Sequence, residues 1–211
     1  MIAMQAVRRD WFPADVSISQ YGVGAHGWML TMTLLFVATA STLALWAAHR
    51  QGAARTWPVI LPWAVWILAC VVMAFVPTNE WPEPLSLTGQ VHQAAAVCGL
   101  FAAPIGAVLM VGLGSRGSSP RSGARARTVV LTTAPLSWVL LGLLVLTNID
   151  IDVTGLGYQA AWSLHQTVAV VLDIIMIFAL IICLRARANV DPGPGGGTTS
   201  ATSATSSSVP A

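Results

Sequence analysis

The chain contains no lysine; all ten of its basic residues are arginine. Charge of either sign is scarce, at 9% of residues, where a soluble domain carries about 25%. A surface so poor in charge cannot belong to an ordinary soluble enzyme, and no nucleic-acid partner is expected of it. Cysteine is scarce too. Cys70, Cys98 and Cys183 all fall inside apolar stretches; their spacing fits no metal site, and they have the character of small buried residues rather than disulfide partners. No catalytic motif and no cofactor-binding signature stands out, so no catalytic residue and no cofactor is expected. What the chain has in excess is apolar surface: 55% of its residues are hydrophobic and its mean hydropathy is +0.72. This is the composition of an integral membrane protein whose partner is the lipid bilayer.

Five apolar runs carry the excess: 26–48, 57–76, 90–113, 128–148 and 162–184. A helix needs about 20 apolar residues to cross the hydrocarbon core, and each run has that length without an arginine. The expected fold is all-α, a polytopic bundle of five transmembrane helices. Before it lies a polar and aromatic segment, Met1–Gly24, with Arg8, Arg9, Asp10 and Asp15. It has no apolar core ahead of a cleavage site, so it is not a signal peptide, and its SISQYGVG stretch has the character of a loop. Residues 1–187 form the transmembrane domain in this reading. The rest, DPGPGGGTTSATSATSSSVPA and its flank from 188, buries too little apolar surface to offset its ordering entropy and is expected to be a disordered cytoplasmic tail.

The connections set an orientation. Arg50 and Arg55 occupy the first, Arg116, Arg121, Arg125 and Arg127 the third, and Arg185 and Arg187 flank the last span; the second holds Glu80 and Glu83, and the fourth Asp150 and Asp152, with no base. Positively charged connections stay inside, which puts the C-terminus in the cytoplasm and the N-terminus outside. The Arg116–Arg127 connection is read as a mobile loop that fixes topology and can meet anionic lipid headgroups.

Inside the membrane one residue stands apart. Asp173 lies near the middle of WSLHQTVAVVLDIIMIFALIICL, where a carboxylate costs about 2.5–3.5 kcal/mol on insertion scales. It must be protonated, face the bundle interior, or touch water. Gln166 is seven residues away on the same helix face, with His165 beside it, so a polar line runs from the surface to mid-membrane. Ser137 lies at similar depth in the fourth run. So does the carbonyl of Leu100, which Pro104 frees by removing an amide donor. Asp173 either pins its helix to a neighbour or forms a proton- or cation-coupled site. In the third run Ala95, Gly99, Ala102 and Gly106 make a small-residue stripe of the kind that lets helix backbones approach in lipid, which marks that helix as central.

His26, His92 and His165 each sit at the outer end of an inward-running helix. Three imidazoles at one depth either converge on a metal such as zinc or copper or serve separately as interfacial polar groups. VHQAAAV from Val91 and LHQTVAV from Leu164 also echo each other, so the second and third helices and the fourth and fifth are candidates for two copies of one hairpin.

WFPADVSISQYGVGAHGW before the first run and GQVHQAAA opening the third resemble small prokaryotic membrane proteins grouped as domain of unknown function nine-nine-eight. Ser17, Ser19, Gly22, Gly89 and His92 carry the match, which extends to about Arg187. The resemblance implies a bacterial plasma-membrane protein, and a six-helix fold with both ends cytoplasmic whose first helix this sequence lacks. Either that helix has been lost or the true start lies upstream of Met1. It implies no chemistry. Three functions stay open: a small transporter using Asp173, a scaffold or lipid-binding protein, and a lipid enzyme acting through the histidines. A non-enzymatic protein is the expectation among them. The orientation is directly testable: in Ser118→Cys, the new thiol resists labelling by a membrane-impermeant reagent added to intact cells, and ready labelling would reverse the topology.

Overall fold

The computed structural model describes residues 17–80, 83–113, 121–149, 151 and 155–188. The acids at 10, 15, 150 and 152, the arginines at 8, 9 and 116, and the tail from 189 onward lie outside the described residues, and with them the expectations of a mobile basic loop and a disordered tail. Five helices follow a short 3-10 turn at Ile18–Gly22: α1 (Trp28–Arg50), α2 (Trp57–Phe75), α3 (Leu87–Leu113), α4 (Arg121–Asn148) and α5 (Tyr158–Ala188). All five are long and apolar enough to cross a membrane. Their outward faces agree with that, since Phe36, Leu43, Leu61, Leu68 and Phe178 are exposed. Exposed tryptophans mark both ends, Trp28 at one and Trp46 and Trp57 at the other, as in the interfacial belts of membrane proteins.

The helix limits differ from the apolar runs for local reasons. α1 begins two residues late. Gly24 takes a positive φ of 84°, and a side chain at Gly27 would meet the Gly22 carbonyl oxygen at 2.2 Å, so His26 is held in a turn ahead of the helix. The same helix runs past Ala48 to Arg50 and stops in a Schellman motif. Gly52, at φ 75°, donates its amide to the His49 carbonyl at 3.0 Å and Ala53 donates to that of Ala48 at 2.9 Å, using carbonyls that would otherwise lack partners. α3 starts early, at Leu87, because the Ser86 hydroxyl accepts the Gly89 amide at 3.2 Å as an N-cap. The largest departures are in α4 and α5. Arg121, Arg125 and Arg127, expected in a loop, lie in the first turns of α4, and α5 runs from Tyr158 to Ala188. Arginine and alanine are good helix formers, and a helix can continue past the hydrocarbon into the headgroup layer. The SISQYGVG segment is also not a plain loop. It contains the 3-10 turn, whose Tyr21 is buried against Leu30.

α3 is the central helix. Of its most apolar window 56% is buried, against 22% to 39% for the other four, and it packs on α2, α4 and α5. The small-residue stripe explains the closeness. A Cβ on Gly99 would lie 2.6 Å from that of Ala69, and one on Gly106 would lie 2.6 Å from Trp63 Cδ1. Both partners are on α2. The most extensive pairings are α4 with α5 and α2 with α3, while α1 rests mainly on α2 and touches α5 lightly. Trp66 donates to the Ser41 hydroxyl at 3.0 Å and Thr31 to the Ala74 carbonyl at 3.2 Å, joining α1 to α2. Trp138 of α4 donates to the Phe101 carbonyl of α3 at 3.4 Å, within the turn that Pro104 disrupts.

The glycine contacts give a direct test. Gly106→Ala forces a methyl into the Trp63 ring and should destabilise the bundle by about 1–3 kcal/mol, the usual range for overpacking. Gly142→Ala, where nothing lies within 4 Å, should leave the thermal midpoint in detergent unchanged or slightly raised. Equal behaviour of the two variants would mean that the α2–α3 contact is not close.

Candidate functional site

Asp173 faces inward from α5 and is 1% exposed. Its position follows from the amphipathic pattern of that helix, which buries Ala169, Asp173, Met176 and Leu180 and leaves Val171, Ile174 and Phe178 to the outside. The hydroxyl of Ser137, itself fully buried, donates to Asp173 Oδ1 at 2.8 Å. The second carboxyl oxygen, Oδ2, is buried and has no partner among the described residues. Leaving one acceptor of this kind unsatisfied costs about 1–3 kcal/mol, so the carboxyl is only half matched by the protein around it. The thiol of Cys70, from α2, lies within electrostatic reach.

Two adjoining chambers lie between Asp173 and one end of the bundle. The inner chamber, of about 190 Å³, lies between α1, α2, α3 and α5; Leu30, Val37, Trp66, Leu100, Val170 and Ile177 make most of its wall, with Asp173 at its foot. The outer chamber, of about 240 Å³, opens at the end of the bundle and is far more polar: Ser17, Gln20, Asn79, Glu83 and Gln93 contribute to it. Ser19, His92, Ala96, Leu100 and Gln166 line both. His92 and Gln166 are the hydrogen-bonding groups of this shared wall that lie on helices, and both are buried.

Each of the two is held by a bond across the bundle. His92 Nδ1 lies 2.7 Å from the Val76 carbonyl at the end of α2. A carbonyl only accepts, so Nδ1 carries the proton, and Nε2 of the neutral ring is left as an acceptor. Gln166 Oε1 accepts the Ile18 amide at 3.1 Å, fixing the 3-10 turn over the end of α5. Gln20 fastens the turn on its other side by donating to the Asn79 carbonyl at 2.8 Å. Asn79 in turn organises the α2–α3 connection, its Oδ1 accepting the Ser86 amide at 2.9 Å and the Ser86 hydroxyl at 2.8 Å. Gly89 has to be glycine for this approach, because a Cβ there would lie 2.2 Å from Asn79 Oδ1.

Of the residues singled out in the sequence, Asp173 and Ser137 are therefore bonded, and Gln166 and His92 share the wall between the chambers. Pro104 is fully buried in α3 but lines neither chamber. The three histidines part company: His26 is exposed on its turn, while His92 and His165 are buried. Among the described residues no group of three His, Cys, Asp or Glu side chains is placed to hold a metal ion. The sequence reading missed Gln20, Asn79 and Ser86, whose roles depend on a segment before α1 and a connection after α2 folding against each other. The echoed pairs His92-Gln93 and His165-Gln166 sit near the starts of α3 and α5, and both glutamines line the outer chamber.

The family model described as "Protein of unknown function (DUF998)" matches residues 1–184. No curated protein matches, and no solved structure does.

The Ser137–Asp173 bond can be isolated by a double-mutant cycle. Ser137→Ala should cost about 0.6 kcal/mol, the average for such bonds in membranes. The same change in an Asp173→Leu background should cost nothing measurable. Additive effects on the thermal midpoint would mean that the two side chains do not interact.

Proposed function

The chain belongs to the DUF998 family, whose function is unknown, and from that starting point we propose that it is a non-enzymatic membrane protein that binds a ligand within its helix bundle, with Asp173 exchanging a proton or cation in the course of transport. The observation that carries the reading is the half-matched carboxyl: Asp173 has one oxygen on Ser137 and the other without a partner among the described residues, and it lines a chamber. Ionisable groups placed this way in membranes belong by default to ion or substrate paths. His92 and Gln166 supply the polar step between the chambers, and Glu83 stands at the outer one.

A purely structural role is the second reading, and the Ser137 bond favours it. A carboxyl that only pins α5 to α4 needs no route to water.

In the proposed topology the end bearing the outer chamber faces away from the cytoplasm of a bacterial cell. Arg50, Arg55, Arg125, Arg127 and Arg185, all exposed, lie at the opposite, cytoplasmic end, where the Arg116–Arg127 segment meets anionic headgroups.

Infrared difference spectroscopy separates the two readings. The carboxylic acid band of Asp173, assigned by its loss in Asp173→Asn, should change amplitude when the bulk solution is stepped from mildly acidic to mildly alkaline. A band that stays constant through the step would mean a sealed carboxyl and would leave the structural role alone.

A further inference from the structure

Resting on that reading, we propose that the ligand is a small lipophilic organic cation, that it enters the inner chamber from the bilayer between α1 and α5, and that it takes the place of the proton on Asp173.

The chemistry of the inner chamber selects the class. Among the described residues its wall is apolar almost throughout, Asp173 is its one acidic residue, and no arginine lines it. A hydrated inorganic cation would have to leave its water for a site offering one free carboxyl oxygen and few other oxygens, whereas such ions take six or more oxygen ligands. A cation that carries its own apolar surface avoids that loss. It also gains from Trp66, which lines the chamber, since an aromatic side chain attracts a desolvated cation. Size narrows the class further. About 190 Å³ falls below the roughly 300–1,000 Å³ of drug-sized pockets, which fits an ammonium bearing a single ring or a short alkyl arm.

The route follows from packing. α1 and α5 touch only lightly, and among the chamber residues Thr33 of α1 and Ile174 of α5 are exposed on the outer faces of the bundle. The outer chamber is the polar exit for the proton, by way of His92 and Gln166. The exchange balances without other reactants: the Asp173 O–H bond breaks, the proton leaves to water, the carboxylate and the organic cation pair, and no bond to the ligand forms. The described groups that surround Asp173 contribute little competing charge. α2 brings the Cys70 thiol, α3 brings His92, α4 brings the Ser137 hydroxyl, α5 brings Gln166 on the same face, and α1 and the 3-10 turn bring no titratable side chain to the chamber.

The probe is benzyltrimethylammonium, whose charge is permanent, added to the purified full-length protein in uncharged detergent. Saturable binding is expected, with release of protons into a weakly buffered solution and an apparent affinity that rises up to about tenfold per unit of pH while proton and cation compete. Tetramethylammonium, which lacks the ring, should bind at least about tenfold more weakly. Asp173→Asn should lose binding, and Thr33→Trp, placed at the lip between α1 and α5, should weaken it while the infrared response of Asp173 to bulk pH persists. Absence of binding with that infrared response intact would overturn this inference and leave the broader reading standing. Binding that survives in Asp173→Asn, or that releases no proton, would overturn it as well. A pH-insensitive carboxyl in the wild type would instead remove the reading on which it rests.

Discussion

Hydrocarbon offers no hydrogen-bond partner, and that constraint governs this bundle from end to end. Every polar side chain that faces inward has to find its match on another helix or on the chain's own backbone. The matches join neighbouring elements in turn: Trp66 to Ser41, His92 to the Val76 carbonyl, Trp138 to the Phe101 carbonyl, Ser137 to Asp173. Association in lipid lacks the hydrophobic drive of water, so close packing of small residues supplies the rest. Gly99 and Gly106 on α3 let the Ala69 and Trp63 side chains of α2 approach. Among the described residues Trp63 Nε1 and Ser163 Oγ are also buried without a partner, but Asp173 Oδ2 is the one such atom on an acidic side chain that lines a chamber.

The five spans were legible because a bilayer demands long uninterrupted apolar runs, and nothing else in this chain looks like one. Their ends were less legible. Arg121, Arg125 and Arg127 look like loop on hydropathy alone, yet they are helical, since propensity rather than burial governs a helix once it leaves the hydrocarbon. The centrality of α3 could be taken from its glycine and alanine spacing. The depth match of Ser137 and Asp173 could be counted in residues along each span.

The remainder of the site could not be counted that way. Gln20 meets the Asn79 carbonyl across 59 positions of sequence, and neither residue lies in a span. No periodicity relates them, only the closure of two end segments over the bundle. Gln166 was legible as part of a polar line toward Asp173, but its amide oxygen goes to the Ile18 backbone, a partner with no side-chain signature at all. The histidines show a different limit. Equal depth left both convergence and separate roles open, because depth fixes only one coordinate. Gly24 and Gly27 hold His26 on an outer turn, while the helix faces carry His92 and His165 inward.

The tie between Ile18 and Gln166 also bears on how the protein is made. The two residues are 148 positions apart, so the segment ahead of α1 waits for almost the whole chain to be synthesised before its anchor on α5 exists. Each hairpin can insert and pair as it leaves the ribosome, α2 with α3 and then α4 with α5. The end of the bundle that holds the outer chamber is closed only when the last helix arrives. A nascent chain halted before α5 would carry four helices and a leading segment held by Tyr21 against Leu30 and by Gln20 on the Asn79 carbonyl, short of the Gln166 anchor that completes that end of the bundle.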